Sequence, residues 1–256
     1  MNPALALGIS SAVAALGWRF RALTVDGAVA AAVVGLSILT FTGWPGLAVL
    51  GTYFVTTTFV SRVARTSDPM SDQAKTETRD RWQVLANGGA AAVAALAEPL
   101  VSGLGVWLVS IILAASGADT WSTAFGRMSP RPPRDLLTRQ LVPAGASGGV
   151  TWFGTTGGLV GATLIGLVAA TATGVWTLYG AAAIIGFAAM VLDSVLGSAV
   201  QARFHCDRCD QPTERRVHDC GTKSSWRRGW RWLDNNTVNA VATVVAGAAG
   251  LAAWWL

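Results

Sequence analysis

Long uncharged runs separated by short polar connections organise the whole chain. They cover roughly Pro3–Gly17, Gly27–Phe41, Trp44–Val60, Val84–Ala97, Leu100–Gly117, Val150–Ala172, Gly174–Val200 and Thr237–Leu256. No strand-length stretch alternates apolar and polar residues with period two, which argues against a membrane β-barrel. Apolar runs of this length read as helices, although several fall short of the roughly 20 residues that cross a bilayer. The shorter ones must extend into their flanks or re-enter the face they left. The pattern therefore predicts an all-α, polytopic transmembrane bundle of about eight helices, or seven or six if some are re-entrant. The chain reads as one integral membrane domain over residues 1–256, with a polar loop at 201–236.

Composition agrees with the pattern. Of the 256 residues 52% are hydrophobic and only 13% charged, against about 25% charged in soluble domains. The 29 glycines give helices small faces for close packing. No Lys or Arg precedes the first apolar run, so Met1–Gly17 reads as a first helix rather than a cleaved signal, whose leading region is basic.

Charge then orients the bundle. All 19 basic residues lie in alternate connections: Arg19 and Arg21, five from Arg62 to Arg81, four from Arg127 to Arg139, and eight from Arg203 to Arg231. The connections at Thr42-Gly43, Glu98-Pro99 and Thr173 carry none. The positive-inside rule places the basic loops in the cytoplasm and both termini outside. The expected location is the inner (cytoplasmic) membrane. The same assignment gathers the unusual polar residues of the spans, Gln83, Asn87, Asp119, Ser147, Asp193, Asn235, Asn236 and Asn239, at the cytoplasmic face.

Within this layer two aspartates stand out, because a carboxylate in a membrane helix is costly unless paired. Asp119 shares a helical face with Ser122, Thr123 and Gly126, and Asp193 with Gly197 and Gln201. Two carboxylates beside hydroxyls and amides suit Mg²⁺ bridging phosphate oxygens; pairing with loop arginines would also explain them. Asn87-Gly88-Gly89 and Ser147-Gly148-Gly149 each precede an apolar run. They read either as anion-binding helix starts or as glycines serving caps and packing. Asn235, Asn236 and Asn239 exceed what capping requires and could bind base, phosphate or metal. Lys75, Arg79, Arg81, Arg134 and Arg139 could pair with phosphates or serve as topogenic charge, with Lys75 and Arg79 the best candidates for phosphate. All three cysteines lie in the last basic loop. Cys206-x₂-Cys209 and His218-x-Cys220 offer four ligands for a closed, structural Zn²⁺ site, with His205 as a competing ligand.

At these motifs the chain resembles the phytyl-phosphate kinase family of membrane proteins, long catalogued as a domain of unknown function. The blocks that carry the resemblance occur in order between about Arg62 and Asn239. They are Gln83-Val84-Leu85-Ala86-Asn87-Gly88-Gly89, Ala118-Asp119-Thr120-Trp121-Ser122-Thr123, Ser147-Gly148-Gly149-Val150-Thr151, Asp193-Ser194-Val195-Leu196-Gly197 with Gln201, His218-Asp219-Cys220-Gly221, and Asn235-Asn236-Thr237-Val238-Asn239. The two Asp blocks are more distantly similar to phytol kinase, dolichol kinase and phosphatidate cytidylyltransferase, which use CTP and Mg²⁺. The resemblance implies phosphoryl transfer from a nucleoside triphosphate, CTP favoured, to a prenyl monophosphate such as phytyl or geranylgeranyl phosphate. Asp119, Asp193 and Asn87 would be catalytic, with both aspartates holding Mg²⁺. Lys75, Arg79, Gln83, Gly88, Gly89, Ser122, Ser147, Gly148, Gly149, Ser194, Gly197, Gln201, Asn235, Asn236 and Asn239 would bind substrate and nucleotide. The chain departs from the family pattern at Ala124, where a glutamate is expected.

The expected partners are the bilayer, a prenyl phosphate and a nucleotide, with no nucleic acid; a homodimer is one option for the assembly. The competing class is a lipid-phosphate transporter or non-catalytic binder. It would place polar residues through both membrane halves, whereas Glu98 is the only acid expected on the outer side.

Overall fold

The computed structural model describes residues 1–67 and 78–255; Lys75 lies outside them. Among the described residues there are seven α-helices: α1 (Pro3–Arg19), α2 (Val25–Ser67), α3 (Arg81–Ala94), α4 (Leu104–Arg127), α5 (Trp152–Thr173), α6 (Trp176–Ala199) and α7 (Asn235–Trp254). Five of them contain stretches long and apolar enough to cross a membrane.

The 43-residue α2 is two arms joined at Gly43, whose φ of 64° and ψ of −142° are not helical. A Cβ on Gly35 would sit 3.8 Å from Leu50 Cδ2, yet fifteen residues of straight helix span about 22 Å. The chain therefore folds back, and the two predicted spans are two antiparallel arms. Pro45 lies in the first turn of the second arm, where its missing N–H costs nothing. With six other helices this makes eight apolar segments, as the hydropathy pattern predicts. Six predicted starts move by two to four residues, and three of these shifts have a common cause: α3 begins at Arg81 rather than Val84, α5 at Trp152 rather than Val150, and α7 at Asn235 rather than Thr237. In each case a side-chain cap sets the start: Asp80 with Gln83 in a capping box, Thr151, and Asp234. Hydropathy alone passes over such polar caps.

Helix α4 is the centre of the bundle and packs on α2, α3, α5, α6 and α7. Its contact with α5 is close because Gly154, Gly157, Gly158 and Gly161 line one face of that helix. Cβ atoms there would lie 2.8 Å from Ser122 O, 2.7 Å from Phe125, 3.0 Å from Ala118 O and 2.8 Å from Trp121. These glycines place the Asp119 segment of α4 directly on the start of α5.

At the opposite end, Glu98 has a structural role. Its carboxylate accepts from the N–H groups of Gly103 (2.8 Å) and Val106 (3.0 Å), capping α4. Glu98→Ala is expected to lower stability by about 1–2 kcal/mol, read as a lower melting temperature of the detergent-solubilised protein.

Two small sheets cover the polar end. Strands β1 (Arg134–Asp135) and β2 (Gly149–Val150) pair in the α4–α5 connection, and β3 (Arg203–Cys206), β4 (Gln211–Thr213) and β5 (Ser225–Arg228) form an antiparallel sheet with β3 central. Asp135 joins them. It is buried, accepts from Ser198 Oγ and from the N–H groups of Leu137 (3.2 Å) and Thr138 (2.9 Å), and pairs with Arg203 (3.2 Å) and Arg228 (3.7 Å). Burial opposes its charge, yet the hydrogen bonds from Ser198, Thr138 and Leu137 hold its carboxyl at about 2. With the folded value below the ordinary 3.8, its contribution is complete above about pH 4 and is lost as pH falls towards 2. Asp135→Asn is expected to destabilise by about 1–3 kcal/mol at neutral pH; an unchanged melting temperature would show that this clamp is not formed.

Candidate functional site

The helix ends at this face surround a cavity of about 410 Å³. Asp119 reaches it from α4, two turns before that helix ends, and Asp193 from α6. Asn87 comes from α3, and Asn235, Asn236 and Asn239 come from the first turns of α7. Arg79, Gln83, Ser122, Ser147, Gly148, Gly149 and Ser194 also line it. Thirteen of the residues singled out by the sequence therefore meet in one place.

The site holds its amides in fixed orientations. Tyr53 Oη and Ser116 Oγ are 2.9 Å apart, Ser116 donates to Asn87 Oδ1 at 3.0 Å, and Asn87 Nδ2 donates to Gln83 O at 2.9 Å. This buried chain fixes which face of Asn87 looks into the cavity. Asn239, with its amide nitrogen turned toward α6, donates to Asp193 Oδ2 at 2.9 Å and to Asn235 O at 3.2 Å. Gln83 is partly committed, since its Oε1 accepts from the Asp80 N–H at 3.2 Å in the α3 capping box.

Glu214, which the sequence does not mark, adds a third carboxylate. It follows β4, lines the cavity and lies with Asp119 within electrostatic reach of Asp193. Its two oxygens accept from Ser147 N (2.7 Å), Ser147 Oγ (2.8 Å) and Gln201 Nε2 (3.0 Å), and Gln201 also donates to Ser147 Oγ at 2.8 Å. Gln201 is buried and absent from the cavity wall; it locks Glu214 to Ser147. Arg127, Arg215 and Asp234 line the cavity as well.

The glycine-rich segments differ from the expected anion-binding helix starts. Asn87-Gly88-Gly89 lies inside α3, so its N–H groups belong to the helix ladder. Gly88 instead allows α2 to approach, a Cβ there meeting Val34 at 3.2 Å. Gly89 would meet only Leu85 of its own helix. In the other segment the Ser147 N–H holds Glu214 and the Gly149 N–H donates to Ala146 O at 2.9 Å. Gly148 (φ 75°) and Gly197 serve contact: Cβ atoms would lie 2.4 Å from Ser198 N and 2.8 Å from Gly148 N. Ala124 is buried in a small cluster with Val60 and Ala64.

Of the four carboxylates that line the cavity, Asp119 and Glu214 lie within electrostatic reach of Asp193, an arrangement that suits a cation between them. The donor set of carboxylate, amide and hydroxyl oxygens fits Mg²⁺, which takes few protein ligands and leaves room for water and phosphate. Arg79, Arg127 and Arg215 on the same wall suit phosphate oxygens.

A second cluster lies in the β3–β5 loop. The ligand atoms of Cys206, Cys209, His218 and Cys220 are all within 4.8 Å of one another. His205 is not among them; its Nε2 pairs with Asp210 at 3.0 Å. Hydrogen bonds from the Thr222 hydroxyl and His218 draw the Cys220 thiol down to about 5, while its bond to Cys220 and burial push Cys209 up to about 11.

Comparison with known proteins assigns the chain to a family. The chain is 29% identical over 237 residues to the uncharacterized membrane protein MJ0933 of Methanocaldococcus jannaschii, covering 91% of this chain and 86% of the relative. It is 26% identical over 272 aligned positions to Protein PGR of Arabidopsis thaliana, covering 93% and 91%. No solved structure matches. The family model described as "Integral membrane protein DUF92" matches residues 8–247, nearly the whole chain, and the polytopic helical bundle agrees with that description. The protein is a member of the DUF92 family of integral membrane proteins.

Proposed function

We propose that this protein is a membrane kinase that transfers the γ-phosphoryl group of a nucleoside triphosphate, CTP favoured, to a prenyl monophosphate such as phytyl or geranylgeranyl phosphate. The observation that carries the reading is the meeting of Asp119, Asp193 and Glu214 with Arg79, Arg127 and Arg215 in one cavity at the polar end of an apolar bundle. A phosphate oxygen of the lipid attacks the γ-phosphorus, the bond to the β–γ bridging oxygen breaks, and nucleoside diphosphate leaves with that electron pair. Such transfers depend on positioning and charge neutralisation rather than covalent chemistry by the protein. Asp119 and Asp193 would hold Mg²⁺, which when bound neutralises charge on the transferring phosphates. The arginines orient the phosphates, and Asn239 holds the Asp193 carboxylate. By the positive-inside rule the basic connections would face the cytoplasm, where nucleotide is supplied.

The lipid half of the substrate is supported by a smaller, mainly apolar cavity of about 60 Å³ between α2, α3 and α4. It shares Arg79, Gln83 and Asn87 with the main one and is lined by Leu23, Val34, Phe54, Gly88 and Leu113. A recess of this size beside the polar cavity has room for only the first few carbons next to a lipid phosphate, with the rest of the chain left to the bilayer. Phe54→Ala, in the wall of the recess and outside the main cavity, is expected to raise KM for the prenyl phosphate about tenfold through lost apolar contact, with KM for nucleotide unchanged. Equal effects on both would detach the recess from the lipid.

The reading is tested with the purified protein, Mg²⁺, each of CTP, ATP, GTP and UTP, and prenyl phosphates of increasing length. Prenyl diphosphate formation with one nucleotide preferred supports it. Translocation of a labelled prenyl phosphate across proteoliposomes with no nucleotide turnover would replace it by transport.

A further inference from the structure

The loop that supplies Glu214 is built around the cysteine–histidine cluster. Two tight turns face each other there. The first, Cys206 to Cys209, joins β3 to β4 and closes with Asp210 at φ 52°. The second, His218 to Cys220, closes with Gly221 at φ 79°, with Gly221 N donating to His218 O (2.8 Å) and His218 N to Thr222 O (2.9 Å). Cys206 is fully buried and His218 nearly so. Cys206 Sγ lies 3.6 Å from Cys220 Sγ, and His218 Nδ1 lies 3.3 Å from the same sulfur. Two thiolates on a tetrahedral Zn²⁺, with Zn–S bonds of about 2.3 Å, sit about 3.8 Å apart, so these two contacts already have the spacing of a filled site, and all four ligand atoms lie within 4.8 Å of one another. Four protein ligands leave no open position, which makes the site structural.

Its position relative to the cavity gives it a purpose. Cys206 pairs with Gln211 and Phe204 with Thr213 across the β3–β4 hairpin, and Glu214 is the next residue. The hairpin is short, and among the described residues its outer strand β4 is the edge of the three-stranded sheet, paired with β3 alone. A cross-link at its tip would fix the register of its far end. The far end then delivers Glu214 to the Ser147 N–H and hydroxyl and to Gln201.

We propose that Cys206, Cys209, His218 and Cys220 bind one Zn²⁺, and that this ion holds Glu214 on Ser147, so that metal loading of the loop sets the shape of the cavity wall. Glu214 is in this sense held as a positioning residue for the Ser147 segment. The inference stands apart from the kinase reading, because neither of its tests uses turnover.

Two measurements on the full-length protein in detergent test it. Metal analysis should find about one zinc per chain, with the Co²⁺-exchanged protein showing the sulfur-to-cobalt charge-transfer and tetrahedral ligand-field bands. Cys209→Ser and Cys220→Ser should each lower zinc content several-fold. Zinc-free wild type with these cysteines reduced, or with a Cys206–Cys220 disulfide, would overturn the site. Amide exchange should then show Ser147 exchanging about tenfold faster once zinc is removed by chelation, the loss of one hydrogen bond to a charged group. The core of α4 should stay protected. Glu214→Ala should give the same faster exchange at Ser147 while keeping its zinc. Ser147 protection unchanged in the zinc-free protein would overturn the link between metal and cavity.

Discussion

Asp193→Asn and Asp119→Asn are each expected to lower the rate of prenyl diphosphate formation by about 10³-fold or more, the loss of one preorganised electrostatic partner at a phosphoryl-transfer site. Asparagine keeps the shape and part of the hydrogen bonding but removes the charge that would hold Mg²⁺. Asp193 is the more informative position because Asn239 donates to it at 2.9 Å, so its carboxylate is already oriented. Asn239→Ala frees that carboxylate without removing it and is expected to cost about tenfold, of the order of one hydrogen bond to a charged group. The two substitutions share one interaction, so the double variant should be no slower than Asp193→Asn alone. Full turnover in both aspartate variants would leave the cavity without its proposed chemistry. Folding is checked separately: removing a partly buried charge from a like-charged cluster should leave melting temperature equal or higher.

The second large effect concerns the fold of the site rather than its charges. Gly148→Ala is expected to destabilise by about 2–5 kcal/mol, combining left-handed backbone strain with overpacking. Gly148 adopts φ 75°, and a Cβ there would lie 2.4 Å from Ser198 N and 2.6 Å from Ser198 Cα, both backbone atoms. A flexible side chain could move aside, but the last turn of α6 cannot do so without disturbing Gln201 and Asp193. The strain would therefore lift the Ser147 segment off α6 and separate it from Glu214. Gly180→Ala in α6 is the control. A Cβ at that position would have no neighbour within 4 Å, so the change should be neutral or stabilising by up to about 1 kcal/mol. Equal melting temperatures for the two variants would mean that the Gly148–Ser198 contact is not made.

The parts of this molecule that hydropathy can express are legible in the sequence, and the parts held by long-range loop contacts are not. Eight apolar segments, the alternation of basic connections and the polar layer of Asp119, Asp193, Asn87 and the α7 asparagines all follow from membrane partitioning, which acts on each segment separately. The convergence of those residues in one cavity follows from the same alternation, because it puts the relevant helix ends on one face. Hydropathy misplaces helix starts where caps such as Asp80 and Thr151 precede the apolar run. The Gly-rich segments have the composition of phosphate cradles, but Gly88 sits inside α3 against Val34 and the Ser147 N–H is taken by Glu214. Glu214 and Asp135 leave no trace in the pattern because they lie in loops without periodicity and their anchors Ser147 and Ser198 are 67 and 63 residues away. One signal for Glu214 does exist: it follows a Cys-x₂-Cys hairpin, and a residue just beyond a cross-linked hairpin is held in a defined place.

The central claim is that the cavity moves a phosphoryl group from nucleotide to lipid. Its most direct test is a stoichiometric one: purified protein, Mg²⁺, γ-³²P-labelled CTP and geranylgeranyl phosphate, with label followed in the lipid and nucleoside diphosphate counted in parallel. The account predicts one labelled prenyl diphosphate for each CDP formed, and no labelled lipid with Asp193→Asn. Label appearing only as inorganic phosphate, or no CTP consumed with any prenyl phosphate or nucleotide offered, would contradict it.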